Sequence, residues 1–126
     1  GNEYINETIR QVMAQRAQEN VFKLNEYNFI VNMDSLNLFK ISKVSNSNEP
    51  EPSTQEDLLL VQFDLADLAY WSTHKENERL FGFIIRDKNF KFFCHVFESD
   101  VNANDICESI TKATQVAYQI LVVEIN

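Results

Sequence analysis

The chain has 126 residues, 44% of them hydrophobic, with ten Phe, four Tyr and one Trp but only two Gly and two Pro. That composition describes one domain with a real core and excludes a disordered or repetitive chain. A formal net charge of −8 works against nonspecific binding to nucleic acid or anionic membranes, both of which attract Lys and Arg.

In chain order, Ile5, Ile9, Val12, Met13 and Ala17 recur at the spacing of a one-sided helix over residues 3–19. Phe29-Ile30-Val31 reads as a strand, Asn32–Ser35 as a turn, and Leu36–Ile41 as a second strand, with Leu36, Leu38 and Lys40 alternating against Asn37, Phe39 and Ile41. Residues 44–57 are polar and acidic and hold both prolines, so they are expected to form a mobile loop. Ser53 and Thr54 there each precede an acid by three residues, a weak acidophilic phosphorylation pattern whose plainer reading is a solvated loop.

Leu58–Leu65 and Leu68–Thr73 read as two further strands. Arg79–Asp87 and Phe92–Ser99 then form a β-hairpin with apolar side chains on both faces, turning at Asp87-Lys88-Asn89. From Asn102 the period becomes helical, with Asn102 able to cap and Asp105 near the positive end of the helix dipole. Ile106, Ile110, Ala113 and Ala117 make one stripe, expected to face the sheets. Cys107, Thr114 and Tyr118 make another, expected to look along a sheet edge. The capping helix is expected over 102–120. The β-branched segment 120–126 fits either a helix extension or a strand.

Little here carries catalysis. His74 lies in a polar turn and reads as a surface residue; His95 sits mid-strand among phenylalanines and reads as a packed, hydrogen-bonded side chain. No Ser or Cys stands beside a base, and glycines at 1 and 82 alone cannot build a phosphate cradle. The acids of the 44–57 loop cannot hold acid–base geometry. Cys94 and Cys107 read as small buried hydrophobes of a reduced, cytoplasmic protein, and no Cys/His cluster suggests a metal or other cofactor. No apolar run reaches the roughly 18 residues of a membrane span. No leader pattern is present, and the opening Gly1 suits a domain cut from a larger protein.

The order helix, strands, long loop, strands, terminal helix resembles a phosphotyrosine-binding (PTB) domain. Residues 73–83 (THKENERLFGF), 7–12 (ETIRQV), Ala17, Asn20-Val21-Phe22, Phe97-Glu98-Ser99 and 106–109 (ICES) are similar to the APPL-type endosomal adaptors. Cys94–Phe97 and Val116–Gln119 also recur across PTB domains. The resemblance implies an α+β fold, an antiparallel β-barrel or sandwich of the pleckstrin-homology (PH) superfold. A C-terminal helix would cap it, with an N-terminal helix present and the family's first strand missing.

The resemblance further implies a non-catalytic adaptor domain spanning 1–126. It would bind a peptide from the cytoplasmic tail of a receptor or trafficking protein by adding a strand to an edge. Leu68, Ala69, Tyr70, Trp71, Ser72 and Thr73 would form that edge, with Ile110, Thr114, Ala117 and Tyr118 as the helix wall. Ala69→Pro would then abolish binding. Many PTB domains carry a Phe where this chain has Thr114, and the edge strand has no Arg or Lys to read a phosphate, so phosphotyrosine-independent binding is expected. Membrane contact would be weak or supplied by other domains, with possible endosome association.

Two alternatives stand beside this reading. One is a phosphoinositide-headgroup module using Lys23, Lys40, Lys43 and Lys75; the other is a dimerisation domain using an open sheet edge. The segment Ile120–Ile125, or a neighbouring chain, could fill that edge.

Overall fold

The computed structural model describes residues 1–19, 26–41 and 58–125, with only the helical course given for 117–125. Helix α1 (Asn2–Gln18) is followed by strands β1 (Tyr27–Val31), β2 (Ser35–Lys40) and β3 (Leu58–Asp64). A short 3₁₀ turn (Leu65–Asp67) leads into β4 (Leu68–Thr73), β5 (Leu80–Arg86), β6 (Phe92–Glu98) and helix α2 (Asn104–Ile125). The acidic segment expected as a loop lies outside the described residues.

Both sheets are antiparallel, one ordered β1-β2-β3 and the other β4-β5-β6. No ladder joins them among the described strands, so the architecture is a sandwich rather than a closed barrel. Turn chemistry sets the links. Asn32 N–H donates to Ser35 O (2.9 Å) between β1 and β2. Asp64 caps the 3₁₀ turn by accepting from Ala66 N–H (2.9 Å), and Asp87 Oδ1 gathers the amides of Asn89 and Lys91 in the β5–β6 turn.

Between the sheets, Leu36, Leu65, Phe83, Ile85 and Ile110 are buried together, and Phe29, Phe63, Trp71 and Phe97 pack on them. The rings interlock: Phe63 meets Phe83 edge-on at 5.2 Å, and Phe83 stacks on Phe97 at 5.6 Å. Each such side chain, fully buried, contributes about 1.5–3 kcal/mol. A second, smaller core lies on the outer face of β4-β5-β6, where α1 docks Ile5 and Ile9 against Leu80, Ile84, Cys94 and Val96. Period two explains the two-faced hairpin: Phe81, Phe83 and Ile85 enter the sandwich while Leu80 and Ile84 meet α1. Gly82 allows this close docking, since a Cβ there would lie 2.8 Å from His95 O and 3.1 Å from Ile5.

Three expectations need correction. The segment 120–125 continues α2 as helix, so it fills no sheet edge; main-chain bonding along an established helix outweighs the weak strand preference of branched side chains. In α1 the fully buried stripe ends at Ile9: Val12 is half-buried, Met13 is 45% exposed and Ala17 is exposed. In β2 both faces are buried at the start, including Ser35 and Asn37. Asn37 Nδ2 is satisfied by Ser35 Oγ (3.0 Å), to which Gln62 Nε2 also donates (3.2 Å).

Candidate functional site

Strand β4 pairs only with β5 and leaves its other edge unpaired among the described strands. The ladder shows which groups face outward. His74 N–H donates to Leu80 O (2.8 Å), so by antiparallel alternation Ser72 and Tyr70 also bond toward β5. The main-chain N–H and C=O of Trp71 and Thr73 therefore point to the open side. Ala69 falls in an irregularity of register between Leu68 and Tyr70 and does not continue this alternation.

Helix α2 is tied to the inner face of β4 by two side-chain bonds. The Trp71 indole N–H donates to Thr111 Oγ1 at 2.9 Å, and Thr73 Oγ1 lies 3.1 Å from Asn104 Oδ1. The Thr111 hydroxyl in turn donates to Cys107 O (3.0 Å). The helix start is held as its sequence suggests: Asn102 Oδ1 accepts from Asn104 N–H (2.8 Å), and Asn102 Nδ2 donates to Glu78 Oε2 (2.6 Å).

The residues expected at the edge divide as follows. Trp71 and Thr73 are half-buried against α2; Tyr70 and Ser72 face α1; Leu68 packs on the core; Ala69 is exposed. Ile110 is fully buried between the sheets, supporting the wall from behind rather than lining it. Thr114 is half-buried, its hydroxyl donating back to Ile110 O and Thr111 O (3.1 and 2.8 Å), which leaves a methyl-sized surface. The side chains of Ala117 and Tyr118 lie outside the described ones. Sequence reasoning missed Asn104 and Thr111. Their spacing of seven, two turns on one helix face, was the available signal.

Charge around the edge is mixed. At the β4 entrance Arg86 Nη2 pairs with Asp67 Oδ1 at 3.1 Å, and its guanidinium lies 5.2 Å from the Phe90 ring centre. On α2, Lys112 pairs with Glu108 (3.5 Å). The two thiols are half-buried: burial pushes Cys107 up to about 11 and also raises Cys94, where a bond with Thr8 opposes the shift. Neither has the electropositive surroundings of a reactive thiolate. Burial lowers the His95 pKa as that ring packs against Phe63 and Phe83.

Comparison with known proteins gives one consistent answer. Human DCC-interacting protein 13-alpha is 35% identical over 117 residues, covering 88% of this chain and 15% of that protein. Human DCC-interacting protein 13-beta is 30% identical over 118 residues, covering 90% of this chain and 16% of its own length. The chain thus spans about a sixth of these relatives. The solution structure of the C-terminal phosphotyrosine interaction domain of mouse APBB2 matches with a TM-score of 0.64 at 25% identity, covering 90% of this chain and 71% of that one. The sequence matches the phosphotyrosine interaction domain (PTB/PID) family over residues 1–123. The chain belongs to the PTB/PID family, a family of protein-interaction adaptor domains with a PH-like fold.

Proposed function

We propose that this domain captures a short peptide from a partner protein by adding it as a strand to β4, alongside α2, without requiring phosphotyrosine. The observation that carries the reading is the open β4 edge, whose Trp71 and Thr73 main-chain groups face away from β5 beside a helix fixed to the same two residues. In this reading Leu68–Thr73 form the edge and Thr114 the helix wall with Ile110 behind it, and Ala117 and Tyr118 are assigned to the wall from the sequence alone.

Charge supports phosphate independence. Arg86, at the end of β5 where β4 begins, is already paired with Asp67, and Asp64 and Asp87 stand nearby around one concavity. A phosphate there would meet three carboxylates against Lys88 and an Arg86 already engaged by Asp67. Because the relatives are named for interaction with DCC, the partner class proposed here is a protein tail segment, met in the cytoplasm or at endosomes. No helix among the described residues is long and apolar enough to cross a membrane.

The test is an array of tyrosine-containing tail peptides, with and without phosphate. The best binder is then N-methylated at alternate main-chain positions. Strand addition predicts loss of binding in one alternation and tolerance in the other. Thr73→Pro, which removes an outward donor while sparing the β5 ladder, should abolish binding, whereas Thr73→Ala, which loses only the hydroxyl bond to Asn104, should retain it. Binding indifferent to both N-methylation and Thr73→Pro would refute the reading.

A second reading has its own observation. Edge strands β3 and β6 expose Leu58, Leu59, Leu60, Phe92 and Phe93. Such edges favour self-association, which light scattering across a concentration series would detect.

A further inference from the structure

A strand added to β4 has two faces, and α2 accounts for only one of them. The side chains of such a strand that lie beside Trp71 and Thr73 turn inward toward α2; those beside Tyr70 and Ser72 turn outward. The outward ones share the face of the sheet on which the start of α1 lies against Tyr70 and Ser72. On this helix, Asn2 and Asn6 reach toward β4 and the residue that follows it by two, while Ile5 and Ile9 are buried against β5 and β6. The asparagine flank is therefore the side of α1 nearest the strand that carries the free edge.

The hydrogen bonding there is directional and fixed from one end. The Lys75 amide can only donate, and it donates to Asn6 Oδ1 (3.1 Å). Asn6 must then present its Nδ2, which donates to Asn2 Oδ1 (3.3 Å). Asn2 Oδ1 also accepts from Ser72 Oγ (3.0 Å). Asn2 Oδ1 thus accepts two bonds and Asn6 Oδ1 one. What remains for a visitor is both hydrogens of Asn2 Nδ2 and the second hydrogen of Asn6 Nδ2, against a single spare lone pair on Asn6 Oδ1, so donors outnumber acceptors. Both asparagines are accessible.

We propose that Asn2 and Asn6 form the outer wall of the peptide groove and select hydrogen-bond acceptors, carboxylate above all, at the outward positions of the bound strand. This deepens the strand-addition reading and rests on it.

The test uses a tyrosine-containing peptide library with the upstream positions randomised, read against the wild-type chain and an Asn2→Asp variant. Asp at the start of a helix is favourable to folding, so the variant retains the fold. Wild type should prefer Asp, Asn or Ser over Lys and Leu at alternate positions by roughly tenfold, the scale of one hydrogen bond to a charged group. Asn2→Asp replaces donors by a carboxylate and should reverse the preference toward Lys and Arg at those positions, leaving inward positions unchanged. The same preferences in both proteins would overturn the outer wall while leaving strand addition standing. Binding indifferent to main-chain N-methylation, or no binder in the library, would overturn both.

Discussion

Trp71 on the edge strand donates its indole N–H to the Thr111 hydroxyl of α2 at 2.9 Å, and this bond holds the helix beside the edge. Thr111→Val keeps the side-chain shape but removes the acceptor, leaving a half-buried N–H unpaired. A loss of about 1–2 kcal/mol is expected in chemical denaturation. Trp71→Phe should make Thr111→Val nearly neutral. A double-mutant cycle with no coupling would show that the bond adds nothing.

At Gly82 the outer face of β5 comes close to α1. Gly82→Ala places a Cβ 2.8 Å from a backbone oxygen that cannot swing away and 3.1 Å from Ile5 and Val96. Destabilisation of about 1–3 kcal/mol is expected from overpacking, with α1 amides losing hydrogen-exchange protection first.

Phe90 shows the opposite case. It adopts φ 60° in the β5–β6 turn, a left-handed conformation that suits glycine. Phe90→Gly should raise the unfolding free energy by up to about 1 kcal/mol, net of the lost Arg86 contact. An unchanged midpoint would mean that the ring contact offsets the backbone strain.

His95 makes stability depend on pH. Its pKa is lowered by burial below the ordinary 6.5, so the folded state favours the neutral ring. Above pH 6.5 the ring is neutral in both states and the contribution is whole. As pH falls from 6.5 through the lowered folded value, the unfolded chain binds more protons and stability declines. A His95→Phe variant should show a shallower fall between pH 7 and 5 than wild type when both are unfolded in urea.

Thr114 offers a gain-of-function test of the proposed groove. Thr114→Phe adds a large apolar surface to the helix wall, worth about 1–2 kcal/mol if a peptide covers it. Fluorescence polarisation should then report roughly five- to thirtyfold tighter binding. Unaltered affinity would place the peptide elsewhere.

Much of this architecture can be read from side-chain period alone. The hairpin Leu80–Glu98 shows two apolar faces because it has two different neighbours, the opposite sheet and α1. Period reveals a face but not what covers it. Met13 continues the helical stripe of Ile5 and Ile9 yet emerges beside no described core. Ile110 lies on the stripe expected to face the sheets and is buried there, though it was also named as wall. Branching at Val122, Val123 and Ile125 left the last segment ambiguous, which the continuing helix resolves. Pairings such as Trp71 with Thr111, forty residues apart, depend on the assembled tertiary structure and carry no local signature.

The irregularity at Ala69 and the turn at His74 leave β4 a regular ladder of only four residues, Tyr70–Thr73. At about 3.3 Å per residue that is a ruler of roughly 13 Å. A visiting strand can exchange main-chain bonds with two residues, four bonds at most, together worth about 2–6 kcal/mol before any ordering cost. Backbone pairing alone thus reaches only about millimolar affinity. Durable attachment would have to come from side-chain pockets or from several weak contacts engaged together, the regime of brief, exchangeable tethers.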